Sequence, residues 1–129
     1  MLRFLKDKEG YQAFRILQFV FVVAPILAGL DKFFYLLTDW SQYLSSIAMT
    51  VILGHDRIFM GIVGVVEIIA GIGIYFKPNI FGYIVSVWIF LIFCNLLLTG
   101  HYFDIALRDL GLCLSAFALG RLSQKFAAD

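Results

Sequence analysis

Glu67 lies near the middle of the apolar run 58–76, whose 19 residues carry no other charge. A run of that length can cross a bilayer. A carboxylate at its centre costs roughly 2.5–3.5 kcal/mol on insertion scales, so it is expected to face a bundle interior and meet a partner there. Such a group can handle a proton, bind a cation, or accept a hydrogen bond from a ligand. Other polar residues fall at comparable depth in neighbouring apolar segments: Asp31 and Lys32, Asn95, and Asp104, Arg108 and Asp109. These seven residues are the candidate ligand-binding or proton-handling set, and none is assigned a catalytic role. Four acids face two bases in it. If all were buried and ionised, desolvation would favour protonating a carboxylate unless a cation or water filled the gap. The plainer reading is that Arg108 and its acids lock the helices together, since buried ion networks often serve packing alone.

Four elements are expected to position this set. The spans run over about 13–37, 58–76, 79–100 and 101–122, all within one transmembrane domain covering 1–129. The 129 residues are 62% hydrophobic and 15% charged, far from the balance of a soluble domain. Lys77-Pro78-Asn79 reads as a tight turn, and Thr99-Gly100-His101 as a second short break. The long connection, 38–57, carries Trp40, Tyr43 and an apolar run too short to span. It is expected to be an interfacial, partly helical segment on the outer face. Phe4 and Tyr11 suggest a mildly amphipathic surface segment at the N-terminus. The basic residues there open an uncleaved first helix rather than a signal peptide. Pro25 is expected to kink that helix.

Orientation follows from the basic residues. Arg3, Lys6, Lys8, Arg15, Lys77, Arg121 and Lys125 fall on one side of a four-span bundle, and Lys32, Arg57 and Arg108 on the other. The bias puts both termini in the cytoplasm. At about 1.5 Å per residue, Glu67 lies roughly 13 Å and Arg108 roughly 10 Å from the outer face, so they can meet. Asp31 and Lys32 lie roughly 9 Å deep. Gly64, Glu67 and Gly71 share a small-residue stripe, as do Asp104, Arg108, Gly111 and Ser115. Such stripes allow close helix approach, and Asp104 and Arg108 are spaced to pair along one face.

Several functions are disfavoured. A net charge of +1 gives no basic field for nucleic acid. There is no phosphate loop, EF-hand or zinc spacing. Cys94 and Cys113 are not a C-x-x-C pair and read as core residues. His55 and His101 sit on the outer side and are weak metal candidates only. Trp88, Phe90, Phe93, Phe33 and Phe34 supply the material for a slot that takes an isoprenoid or acyl chain.

Three segments together resemble the DoxX-like family of small four-helix integral membrane proteins. They are Gly29-Leu30-Asp31-Lys32-Phe33, Gly64-x-x-Glu67-x-x-x-Gly71 and Ala106-Leu107-Arg108-Asp109-Leu110-Gly111. In order and spacing they span most of the chain. The resemblance implies a four-transmembrane-helix bundle in the bacterial cytoplasmic (inner) membrane. Some relatives are linked to quinone-coupled sulfur oxidation, or to complexes that handle thiol and oxidative stress. This chain has no cysteine pair, which argues against thiol–disulfide chemistry of its own.

The first expectation is therefore a redox-associated subunit that binds a quinone-like or other lipophilic ligand. Glu67 and Asp31 would handle protons, and Arg108, Lys32 and Asn95 would donate hydrogen bonds. A second is a non-enzymatic scaffold, oligomeric or joined to other membrane subunits, whose charges fix helix register. The third is a small-solute or ion carrier, working as an oligomer.

Overall fold

The computed structural model describes residues 7–126, and the secondary structure among them is entirely helical. Helix α1 covers Lys8–Phe34, a 3-10 turn covers Trp40–Tyr43, and the short α2 covers Ser46–Val51. Helices α3 (Asp56–Phe76), α4 (Pro78–Thr99) and α5 (Phe103–Phe126) follow. By length and composition α1, α3 and α4 can each cross a membrane, and their outward faces are crowded with large apolar side chains such as Phe19, Leu27, Ile62, Ile69 and Leu91. These are the properties of a multi-pass membrane protein. Helix α5 is as long but carries Asp104, Arg108, Asp109, Arg121 and Lys125.

The helix ends have local causes. Asp7 caps α1, its Oδ1 accepting from Gly10 N at 2.9 Å, which satisfies one of the first-turn donors. The helix runs unbroken from Lys8 through Tyr11 and Pro25. The expected separate surface segment is thus continuous with α1 at Tyr11, and Phe4 lies outside the described residues. Helix α1 stops at Phe34, three residues short of the expected end, because Tyr35 takes a left-handed conformation with φ 55°. A single residue, Lys77, joins α3 to α4. Pro78 opens α4 rather than forming a turn, since its missing N–H costs nothing in the first helical turn. Gly100, at φ 74°, ends α4.

The four long helices form two intimate pairs, α1 with α3 and α4 with α5, in looser contact with each other. Glycine makes each pair possible. A Cβ placed on Gly29 would lie 2.5 Å from Gly64 O, and one on Gly64 would lie 2.6 Å from Gly29 O. A Cβ on Gly71 would likewise lie 2.8 Å from Val22 O. In the other pair a Cβ on Gly82 would come within 2.7 Å of Gly120 N. One turn away, Ser86 Oγ donates to Cys113 O at 2.9 Å and Cys113 Sγ donates to Ser86 O at 3.3 Å. The expected stripe Gly64/Gly71 is therefore used within the chain. The expected stripe on α5 is not: Gly111 has open space around it, and α5 packs instead through Ala106, Cys113, Ala116 and Gly120. Polar and apolar residues are spread around α5 with no apolar stripe, so periodicity does not select its packing face.

At the end of the bundle that holds the α3–α4 connection, Phe14, Phe21, Ile74, Val85, Ala116 and Leu119 form a core across both pairs. Gln18 Nε2 donates there to Ile74 O and Tyr75 O, at 3.3 and 3.2 Å, covering last-turn carbonyls that α3 leaves open. Lys125 Nζ bridges to Asp7 Oδ2 at 2.7 Å.

Two predictions follow from this packing. Gly29→Val should lower the stability of the detergent-solubilised protein by about 1–3 kcal/mol, the usual scale of overpacking. Gly111→Ala should leave the melting midpoint unchanged or slightly raised, and thermal unfolding followed by helical dichroism compares the two. The hydrogen bond from Lys125 holds the Asp7 carboxyl below its usual range. The Asp7 contribution is then complete above the ordinary carboxylate value and lost as pH falls through the lower folded one. Amide exchange at Gly10, corrected for intrinsic rates, should lose protection on that acid side, and more so in wild type than in Asp7→Asn.

Candidate functional site

Between the two helix pairs lies a cavity of about 650 Å³. Each long helix gives it one stripe at i, i+3/i+4 spacing, the geometry that places side chains on one helical face. Helix α1 contributes Phe21, Ala24, Pro25, Ala28 and Lys32, and α3 contributes Met60, Val63, Glu67 and Ala70. Helix α4 adds Val85, Trp88, Ile92 and Asn95, and α5 adds Ile105, Arg108, Asp109 and Leu112. Thr38, Trp40, Tyr43, Leu44 and Ala48 of the α1–α3 connection complete the wall. Small side chains on α1 and α3 leave the space, and mostly apolar ones line it.

The polar groups are arranged in pairs. Lys32 Nζ stands 2.6 Å from Glu67 Oε1, with both side chains largely buried, and no other donor among the described residues reaches that oxygen. The ammonium also lies 3.8 Å from the centroid of the Trp40 ring, which attracts a cation through its negative face. On the other side of the cavity Arg108 Nη2 lies 3.2 Å from Asp109 Oδ1. Asp109 is buried, while the Arg108 side chain is 65% exposed.

The expected meeting of Glu67 with Arg108 does not occur. Position in the sequence gives depth along a helix axis, but it does not fix the rotation of the helix about that axis. Close packing of α1 on α3 brings Lys32, not Arg108, to Glu67. Arg108 likewise pairs with its neighbour Asp109 rather than with Asp104, which is exposed on the first turn of α5 without a described partner.

Asp31 and Asn95 hold the α1–α3 connection. Asp31 accepts from Leu36 N and Leu37 N at 2.9 Å each and from Trp40 Nε1 at 2.8 Å. It therefore fastens the chain just beyond the left-handed Tyr35. Asn95 uses both ends of its amide on the same segment. Its Oδ1 accepts from Ser45 N at 3.0 Å and its Nδ2 donates to Tyr43 O at 2.7 Å. One of the two hydrogens on Nδ2 is thus spent on Tyr43 O, and the amide fastens the connection at both ends. Tyr43 packs edge-on against Tyr102, 4.8 Å between centroids. The segment is partly helical, as expected of 38–57, and it roofs the cavity.

His55, at the start of α3, and His101, in the α4–α5 connection, are both exposed. No group of three potential metal ligands occurs among the described residues. The role of Trp40 was only half legible: its type marks it as interfacial, but its bond to Asp31 and its seat beside Lys32 depend on how the chain turns after α1. Comparison with family models, with curated proteins and with solved structures finds no match to this chain.

Asn95→Ala removes two bonds from the roof. A hydrogen bond is worth about 1 kcal/mol, so amide exchange at Ser45 should accelerate by roughly five- to tenfold. Exchange in the middle of α3 should not change. Mass-spectrometric hydrogen exchange on the solubilised protein reads both regions at once.

Proposed function

We propose that this chain is a four-span membrane protein, with both termini cytoplasmic, that binds a lipophilic molecule in the cavity between its helix pairs. The observation that carries this reading is the cavity itself: about 650 Å³, within the size range of small-molecule and cofactor sites. Its wall is mostly apolar, with a few polar groups at fixed positions, the usual composition of a site that orients a ligand. The roof formed by Trp40–Tyr43 and its neighbours separates it from the outer aqueous side.

A quinone-like molecule is the first ligand class on this reading. Such a molecule has a compact ring with carbonyl acceptors and an apolar tail, which suits a wall with Lys32 and Glu67 in an otherwise apolar space. Lys32 would orient a carbonyl and Glu67 would take or supply the proton that accompanies reduction or oxidation. Asp31 and Asn95 would act indirectly, by holding the roof. The chain would then serve as a redox-associated subunit of the bacterial cytoplasmic membrane, in keeping with its resemblance to the DoxX-like family.

The scaffold alternative finds less support. The closest small-residue contacts, Gly29 with Gly64 and Gly82 with Gly120, are made within the chain, so they are not available to a partner subunit.

Native mass spectrometry of protein extracted in a mild detergent tests the proposal. A reproducible adduct, identified by fragmentation as a small lipophile, is the expected result. Ala70→Phe, which fills the cavity from α3, should abolish the adduct while the protein stays folded. An apo wild-type spectrum after extraction, together with failure of an added short-chain quinone to bind, would overturn it.

A further inference from the structure

The charges in the cavity wall select the ligand further. This step rests on the proposed binding of a lipophile between the helix pairs. Each cavity-lining cation already has a carboxylate: Lys32 with Glu67 at 2.6 Å, and Arg108 with Asp109 at 3.2 Å. Each pair has zero net charge, wherever its proton resides. Asp31, just behind Trp40, adds one further acid, already held by three N–H donors.

We infer that the occupant is an electrically neutral lipophile, and that Glu67 determines this selectivity by cancelling the charge of Lys32. A fatty-acid carboxylate placed between the helix pairs would have to pull Lys32 away from Glu67 or remain unpaired. An alkylammonium would meet the same obstacle at Glu67. Taking an ion out of water without a free counter-charge is strongly unfavourable. A carbonyl, ester or hydroxyl carries no such penalty and can accept a hydrogen bond from a paired ammonium. Negatively charged phospholipid head groups are excluded on the same ground. The buried pair thus acts as a filter: it leaves polarity in the wall but no net charge to attract an ion.

The test compares three brominated probes with the same chain: stearoyl methyl ester, stearate and stearylamine. The chain has two tryptophans, so in a Trp40→Phe background the cavity residue Trp88 is the sole indole and bromine quenches it on contact. Titrations run at about pH 9, where a carboxylate is ionised and an amine is still mostly charged. Trp88 also borders an outward-facing groove with Tyr83, Val87 and Leu91. Only the saturable quenching that Ala70→Phe removes is therefore counted as cavity binding.

The ester should bind at least about tenfold more tightly than either charged probe, a difference of about 1.4 kcal/mol. Glu67→Gln leaves Lys32 without its carboxylate, and stearate should then gain at least about tenfold relative to the ester. The double variant Lys32→Gln/Glu67→Gln has neutral side chains at both positions and should return to ester preference. A role limited to packing would not predict this reversal and restoration. Stearate or stearylamine binding as well as the ester to the otherwise unaltered wall would overturn the selectivity while leaving the cavity reading intact, and so would an unchanged preference in folded Glu67→Gln. If no probe shows quenching that Ala70→Phe removes, the cavity reading fails, and this inference fails with it.

Discussion

Backbone touches backbone at Gly29 and Gly64, and the rest of the bundle depends on that contact. A single Cβ at either position would lie about 2.5 Å from a carbonyl oxygen of the other helix, closer than atoms can approach. Gly82 and Gly120 repeat the arrangement between α4 and α5. In lipid there is little hydrophobic gain from burying one apolar helix against another, so close packing has to hold the helices together. Glycine supplies it pair by pair. The two pairs do not close on each other in the same way, and the cavity lies between them.

The same contact explains the buried ion pair. With α1 seated closely on α3, Lys32 is carried to Glu67, and Lys32 Cβ itself packs beside Gly64. The ion pair follows from the helix packing and also reinforces it. Removing one partner would leave a buried charge without its counter-ion, which is the costly half of any buried pair. Trp40 completes the arrangement by covering the ammonium with its ring and donating to Asp31. One face of α1 thereby organises the helix pair, a polar edge of the cavity and the start of the roof.

The roof is built differently from the walls. It is held by side-chain bonds to backbone, from Asp31 at one end and Asn95 further along, together with the ring contact of Tyr43 on Tyr102. Left-handed residues flank it, Tyr35 on one side and Leu53 with Gly54 on the other. Non-glycine residues in that conformation are held there by their surroundings. A segment fastened through a few directed bonds opens at lower cost than a packed helix.

Much of this protein was legible in its sequence. Apolar run lengths marked the three helices long and apolar enough to cross a membrane, Gly100 marked a helix end, and the isolation of Glu67 in an apolar run required a partner. Asp31, Lys32, Asn95, Arg108 and Asp109 were each recognisable as too polar for their surroundings, because the cost of polarity in an apolar run depends on residue type alone. Which of them would meet was not legible. Sequence position gives depth along a helix axis, whereas rotation about the axis is decided by packing. That rotation paired Glu67 with Lys32 instead of Arg108, while the side-chain conformation of Arg108 turned it to its chain neighbour Asp109 instead of Asp104. Packing also turned Gly111 outward and brought Gly120 against Gly82, a choice that no periodicity in α5 expresses, because its polar and apolar residues are spread around the helix. Tertiary structure alone decided that Asp31 and Asn95 spend their hydrogen bonds on the roof, since their partners are backbone groups whose positions depend on how the chain leaves α1.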